Sequence, residues 1–176
     1  MNVLIAGAGG NLGRLLVGAF RKQGAQVKGM SFRAVEMDSI KEQLLEVLEA
    51  DVTRPETLAG KCKDVDIVVS VIGITRMKGK LTHMAVDYQG NVNLLNEAKR
   101  SGVKKFVFIS PAGTDRGYTS VPLYAAKYLF EQVLVKSGLE WVIFRAGGFF
   151  GDLANYGAMA AKGRMWVFGD GRARFT

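Results

Sequence analysis

The feature that most constrains this chain is its beginning. An apolar run, Asn2-Val3-Leu4-Ile5-Ala6, passes directly into Gly7-Ala8-Gly9-Gly10-Asn11-Leu12-Gly13. A strand buried on both faces reads as a continuous apolar run, and this one breaks into glycines where a helical pattern starts. Such an arrangement brings backbone N–H groups up to a pyrophosphate at a helix N-terminus. A Cβ at the turn or at the point of closest approach would hold the ligand away, so glycine is needed there. Gly7, Gly9 and Gly13 read G-x-G-x-x-x-G, while Gly7, Gly10 and Gly13 read G-x-x-G-x-x-G. Neither is the six-residue G-x-G-x-x-G fingerprint. Behind the loop, Leu12, Leu15, Leu16, Ala19 and Phe20 recur at helical spacing until near Gly24, and Gln26–Phe32 reads as a second strand. In this βαβ context dinucleotide binding is the expectation, and a tight turn without a ligand is the competing account.

Length and composition narrow the class. The 176 residues suit one domain, since a chain near this length buries about 70% of its unfolded surface. Apolar content of 48% and charged content of 23% are ordinary for a globular protein. No apolar run has the roughly 18–20 residues that a membrane span needs. The N-terminus lacks a signal-peptide pattern, because glycines interrupt the apolar stretch and no basic segment precedes it. A single cysteine, Cys62, cannot form an internal disulfide and fits a reducing, cytoplasmic setting. Its two lysine neighbours could activate the thiol slightly; an inert cysteine is the simpler account. The net charge of +8 raises nucleic-acid binding as an alternative. The basic residues are scattered, however, with small groups at Arg76, Lys78 and Lys80 and at Lys99-Arg100 with Lys104-Lys105. A solvated face, or attraction for an anionic cofactor or substrate, accounts for them more economically.

Strand and helix patterns alternate along the chain, which predicts a parallel α/β sheet. A polar helical stretch near Ser39–Leu45 precedes a third strand at Glu46–Ala50. Thr53 as N-cap, Pro55 in the first turn and Glu56 three residues on predict a helix start. Val65–Ile72 reads as a fourth strand closed by Gly73, His83–Arg100 as a long helix and Phe106–Ser110 as a fifth strand stopped by Pro111. Pro122–Lys136 reads as a helix and Trp141–Arg145 as a sixth strand. From Gly147 the texture changes: a loop to Gly151, a short helix at Ala154–Ala161 and a strand at Met165–Phe168.

Five stretches occur in an order that resembles one family: Gly7–Gly13, Ala50-Asp51-Val52-Thr53, Val86-Asp87-Tyr88-Gln89-Gly90-Asn91, Lys104–Ser110 and Phe144-Arg145-Ala146-Gly147-Gly148-Phe149. Together they are similar to the atypical short-chain dehydrogenase/reductases, especially the NmrA-like NAD(P)H-binding group, across essentially the whole chain. The resemblance implies a doubly wound Rossmann-like sheet of order 3-2-1-4-5-6 and an NAD(P)-dependent oxidoreductase acting on a carbonyl or alcohol. It also implies that residues 1–176 form one NAD(P)-binding domain, with 147–176 the start of a small substrate-binding portion. Members usually continue further, so the C-terminal substrate portion is expected to be truncated here.

An acid at the end of the second strand would bond a ribose 2′-hydroxyl and repel a 2′-phosphate. Here Ser31-Phe32-Arg33 offers no carboxylate before Glu36. Arg33 can grip a phosphate and Arg14 can add charge, so NADP is favoured, with NAD the alternative. By the resemblance, Asp51 and Val52 border the adenine, Asn11 and Leu12 belong to the phosphate turn, and Gly73 after Ile72 lets the backbone approach the adenine ribose. Gly147, Gly148 and Phe149 fall near the nicotinamide. Asp51 also suits a plain turn role, and Gly147–Phe149 an ordinary loop.

Classical members place a Tyr four residues before a Lys, so that the ammonium lowers the phenol pKa for proton exchange. Here Tyr124 precedes Lys127 by three, and Leu123 stands at the usual tyrosine position. The two still share a helix face, turned by about 100° from the usual arrangement. Lys127 is a candidate for the nicotinamide-ribose hydroxyls, or a surface lysine paired with Glu131. Ser110 ends the fifth strand at the ligand edge, where it either bonds a substrate carbonyl or caps the Pro111 turn. His83, the only histidine, reads as a cap or surface residue rather than a general base. The displaced tyrosine keeps a second function open: an NADP(H)-sensing regulator that binds without turnover and reports to a protein partner. The remaining expectations are no metal, no membrane, a small-molecule substrate and compatibility with a homodimer.

Overall fold

The first strand, β1 (Asn2–Ala6), carries four residues, Val3 to Ala6, with no solvent exposure. Its side chains alternate between two cores, as a pleated strand requires. Leu4 and Ala6 join one cluster with Phe106, Phe108 and Phe130, and Val3 and Ile5 join another with Val17, Val27 and Met37. Apolar residues on both faces demand helices on both faces, and the rest of the chain supplies them.

The computed structural model describes residues 1–74, 81–117 and 120–163, with the backbone alone for residues 150–155. After β1 come helix α1 (Asn11–Lys22), β2 (Gln26–Ser31), a 3-10 helix at Ala34–Gln43 and β3 (Glu46–Glu49). A short 3-10 turn, Pro55–Leu58, leads to β4 (Ile67–Ser70). A π-helical turn, Met84–Gly90, then runs straight into α2 (Asn91–Arg100). Strand β5 (Lys105–Pro111), helix α3 (Pro122–Val135), β6 (Glu140–Ala146) and α4 (Phe150–Ala161) complete the described elements. The strands form one parallel sheet in the order β3-β2-β1-β4-β5-β6, as the family resemblance implies. Winding proceeds from β1 outward through β2 and β3, then restarts on the other side at β4. The strand ends therefore part between β1 and β4, where ligands bind in such sheets.

Several boundaries differ from the sequence reading. The helical stretch after β2 is a 3-10 helix that starts at Ala34, not near Ser39. Arg54, not Thr53, occupies the cap position of the next turn, and no side chain caps it. Thr53 instead donates from its hydroxyl to Asp51 Oδ1 at 2.7 Å. Strand β4 ends at Ser70, so Val71–Gly73 leave the sheet at the point where it divides. The loop predicted to Gly151 gives way to α4 at Phe150. The predicted strand Met165–Phe168 and the basic group Arg76, Lys78 and Lys80 lie outside the described residues. Among the described residues no helix is long and apolar enough to cross a membrane.

Candidate nucleotide site

Two connected clefts open along the C-terminal ends of the strands, sharing Val71–Ile74 as a common wall. The outer one, about 560 Å³, lies over β1, β2 and β3 and includes Gly7, Gly10, Ser31, Arg33, Asp51 and Val52. The inner one, about 220 Å³, lies over β4, β5 and β6 and includes Leu12, Gly73, Ser110, Leu123, Lys127 and Phe149.

The glycine turn does several jobs. Gly7 has φ of +92°, a left-handed conformation costly for any side chain, and a Cβ there would lie 3.0 Å from Val71 Cγ2. A Cβ on Gly13 would collide with the Gly7 carbonyl and lie 2.7 Å from Ala8 Cα, so Gly13 lets α1 close onto the turn. Gly9 is tight for another reason: its Cβ would sit 2.7 Å from Glu36 Cβ, against the 3-10 helix. Gly10 is the N-cap of α1, with no side-chain cap and no acidic residue in the first turn. The first N–H groups of α1, beginning near exposed Asn11, thus keep their capacity for an anion.

At the outer end Arg33 and Glu36 meet. Arg33 Nε lies 3.3 Å from Glu36 Oε1, and the Ser31 hydroxyl donates to Glu36 Oε2 at 2.5 Å. The serine hydrogen bond, assisted by Arg33, holds the Glu36 carboxyl below its ordinary range. A carboxylate therefore does stand beside Arg33. Residue distance from β2 hid it, because the 3-10 helix folds back at once. Arg14 has another place than the sequence suggests: Nε donates to Gly9 O and Nη2 to Glu36 O, both at 2.9 Å. It clamps the glycine turn to the 3-10 helix and is not part of the cleft lining. Asp51 combines the cleft and turn readings, since its Oδ1 accepts from Thr53 N while the residue lines the cleft. Val52 is held by Asn93, which donates to its carbonyl at 2.8 Å, and by Gly90, whose Cβ would lie 2.6 Å from Val52 Cγ2.

The inner cleft is built around a buried ammonium. Lys127 projects from α3, 8% exposed, and donates to Ile72 O at 3.0 Å and Ile109 O at 3.4 Å. Its Nζ also lies 4.8 Å from the centre of the Phe108 ring. The expected surface pair with Glu131 does not form. Glu131 is taken by Arg145, 2.8 Å away, while Lys127 faces Asp87 Oδ1 at 3.3 Å. Burial pushes the Lys127 pKa down, and Asp87 opposes that shift. His83 holds the N-cap position of the π-helical turn without a side-chain cap bond, and its half-buried ring turns inward, with Nδ1 2.9 Å from Asp87 Oδ2. Ser110 is buried and shares a 3.2 Å hydrogen bond with Thr114. Gly147 and Phe149 line this cleft. Leu123 forms its wall; Tyr124, half-buried one residue on, is not part of that lining.

Sequence reasoning missed Glu36, Asp87, His83 and Thr114 as members of the site. The i,i+4 spacing of His83 and Asp87 was a legible signal; the approach of Lys127 from another helix was not. Cys62 is fully buried and its thiol is pushed up to about 12 by burial, which makes it inert. Among the described residues no cluster of His, Cys, Asp or Glu is placed to hold a metal ion.

A glycine turn opening onto a helix N-terminus at the division of a parallel sheet defines a dinucleotide-binding α/β domain. A family profile described as NAD(P)H-binding matches residues 7–164, and the chain belongs to that family. This agrees with the resemblance to the atypical short-chain dehydrogenase/reductases. The photosystem II assembly factor Ycf39 of Synechocystis is 31% identical over 153 residues, covering 87% of this chain and 46% of that protein. The chain thus spans about half the length of the curated relatives it matches. Among solved structures, the NADPH-dependent quinone oxidoreductase QOR2 of Escherichia coli, complexed with NADPH, superposes with a TM-score of 0.74 at 21% identity, covering 92% of this chain and 54% of that one. The Bordetella bronchiseptica enzyme WbmH in complex with NAD+ gives 0.70 at 20%, covering 93% and 63%. These likenesses show the fold.

Proposed function

We propose that the chain is the nucleotide-binding part of an NADP(H)-dependent reductase or dehydrogenase acting on a carbonyl or alcohol. The observation that carries this reading is the buried ammonium of Lys127 at the inner cleft, which Ser110 also lines. A pyrophosphate fits the N-terminus of α1 at Gly7–Gly13, the adenine fits between Asp51, Val52 and the Ile72-Gly73 wall, and Lys127 suits the nicotinamide-ribose hydroxyls. NADP is favoured over NAD by Arg33, whose side chain is 65% exposed and free to leave Glu36 for a 2′-phosphate. When bound, the nicotinamide would supply the hydride; in this reading Ser110 bonds the substrate oxygen. Residues from Gly147 onward begin the substrate-binding portion, and a reducing cytoplasm suits Cys62. A homodimer is compatible with this reading.

A second reading is favoured by Leu123, which gives the inner cleft an apolar wall where a phenol would serve proton exchange. The chain then binds NADP(H) without turnover and reports to a protein partner, and a relative described as an assembly factor is in keeping with it. The two separate cleanly. NADPH oxidation with a panel of small carbonyls, abolished in Lys127→Ala, supports the enzyme; micromolar NADPH binding with no turnover across the panel supports the regulator.

A further inference from the structure

We propose that Asp87 is the positioning residue that keeps Lys127 charged and pointed at the clefts, with Gly73 and His83 built around it to allow this. The proposal rests on the reading of Lys127 as a nucleotide-binding group. Asp87 sits on the π-helical turn with no solvent exposure. π-Helical turns recur at functional sites. Its Oδ2 is satisfied by His83 Nδ1 at 2.9 Å and by Ile74 N at 3.4 Å. An ionised carboxylate can only accept, so His83 must carry its proton on Nδ1. Among the described residues no donor meets hydrogen-bond geometry at Oδ1, although Lys127 Nζ lies 3.3 Å away. That contact is therefore an ion pair by proximity, between two groups that water scarcely reaches.

A buried ammonium without a counter-charge sheds its proton, because desolvation penalises the charged form. The carbonyls of Ile72 and Ile109 and the Phe108 ring are neutral. Glu131, one helical turn along α3, is committed to Arg145, which also reaches Asp115 at 3.5 Å. Tyr124 and Tyr128 on α3 and Tyr88 on the π-helical turn are the other titratable residues close in sequence to the pair. Glu131 still supports the ammonium from a distance, but among the described residues Asp87 is the carboxylate in contact with Lys127 and the stronger influence.

Gly73 supports this independently, from a different element. A Cβ there would lie 2.6 Å from Asp87 Oδ1 and 3.4 Å from Lys127 Nζ. Any other residue would wedge the carboxylate away from the ammonium. The glycine three residues beyond β4 therefore houses the pair, in addition to the backbone approach expected from the sequence.

The test uses the full chain as Asp87→Asn, which keeps the shape and the bond to His83 but removes the charge. NMR of isotope-labelled lysine follows Lys127 in the ligand-free protein, and NADPH affinity is measured from neutral to pH 9. The Lys127 titration should move to lower pH in the variant. NADPH affinity should fall about tenfold or more as the binding cation is neutralised, and that fall should come at lower pH in the variant than in the wild type. An unmoved titration in folded Asp87→Asn overturns the proposal. If that variant does not fold, Gly73→Ala takes its place by the same criterion, since it displaces the carboxylate without changing the charge. Failure of wild-type protein to bind NADPH would overturn the nucleotide reading alone, because the lysine titration needs no nucleotide.

Discussion

Two carboxylate–cation pairs flank the clefts, and water separates their characters. At the outer end Arg33 and Glu36 have side chains 65% and 31% exposed; at the inner end Lys127 and Asp87 are 10% and 0% exposed. An exposed pair gains little from its own attraction, because solvent screens it and both side chains lose freedom in forming it. Such a pair is exchangeable, and an incoming phosphate can compete for the arginine. A buried pair is committed, since separating or neutralising either member strands a charge away from water. The same chemistry thus serves as a replaceable contact at one end and a fixed fitting at the other.

The sharpest way to break this contrast is to remove Lys127. Lys127→Met leaves Asp87 buried with His83 as its remaining polar side-chain neighbour. Loss of one partner from a buried pair costs about 3–5 kcal/mol. Denaturant unfolding should show a drop of that order, together with loss of NADPH binding. A change below about 1 kcal/mol would place the pair with the exposed, weakly coupled class.

The contrast also tracks what could be read from the sequence. The glycine turn, β1 and the parallel α/β class were legible because each signal is local: an apolar run, glycines at fixed offsets, alternating periods; the strand order came from the family resemblance. Arg33 was legible for the same reason, standing two residues beyond β2. Glu36 was discounted by counting residues, although a 3-10 helix beginning at Ala34 returns it to Ser31. Lys127 and Glu131 satisfy the i,i+4 rule for a surface pair, yet packing of α3 against the π-helical turn and β6 gave each a different partner. The Thr53–Glu56 capping pattern likewise lost to Asp51, which captured the threonine hydroxyl. Lys127 and Glu131 found partners on other elements, while Glu36 and Thr53 were taken by residues just before them in the chain.

The outer end offers a smaller test. Arg33→Ala should weaken NADPH about tenfold, the scale of a charge-assisted phosphate bond, and leave NAD+ affinity nearly unchanged. The ratio of the two dissociation constants is the readout that matters. Equal losses for both cofactors would make Arg33 a general surface charge and remove the support for NADP.

The smallest effect concerns Glu36, where the signs can be worked through. Its carboxyl is held below the ordinary range by the Ser31 hydroxyl first and Arg33 second. A carboxyl with a lowered folded-state pKa stabilises the fold above its unfolded pKa, and that contribution is lost as pH falls through the folded value. Glu36→Gln should therefore cost stability at neutral pH, by less than about 1 kcal/mol for so exposed a pair. The difference from wild type should fade on acidification below about pH 4, where the wild-type carboxyl is itself protonated. Nucleotide affinity should move the other way. With the competing charge gone, Arg33 is released to the 2′-phosphate, and NADPH should bind a few-fold more tightly while NAD+ does not gain. Tighter NAD+ binding in Glu36→Gln would show instead that the carboxylate repels any nucleotide, and that this end of the cleft does not discriminate the ribose.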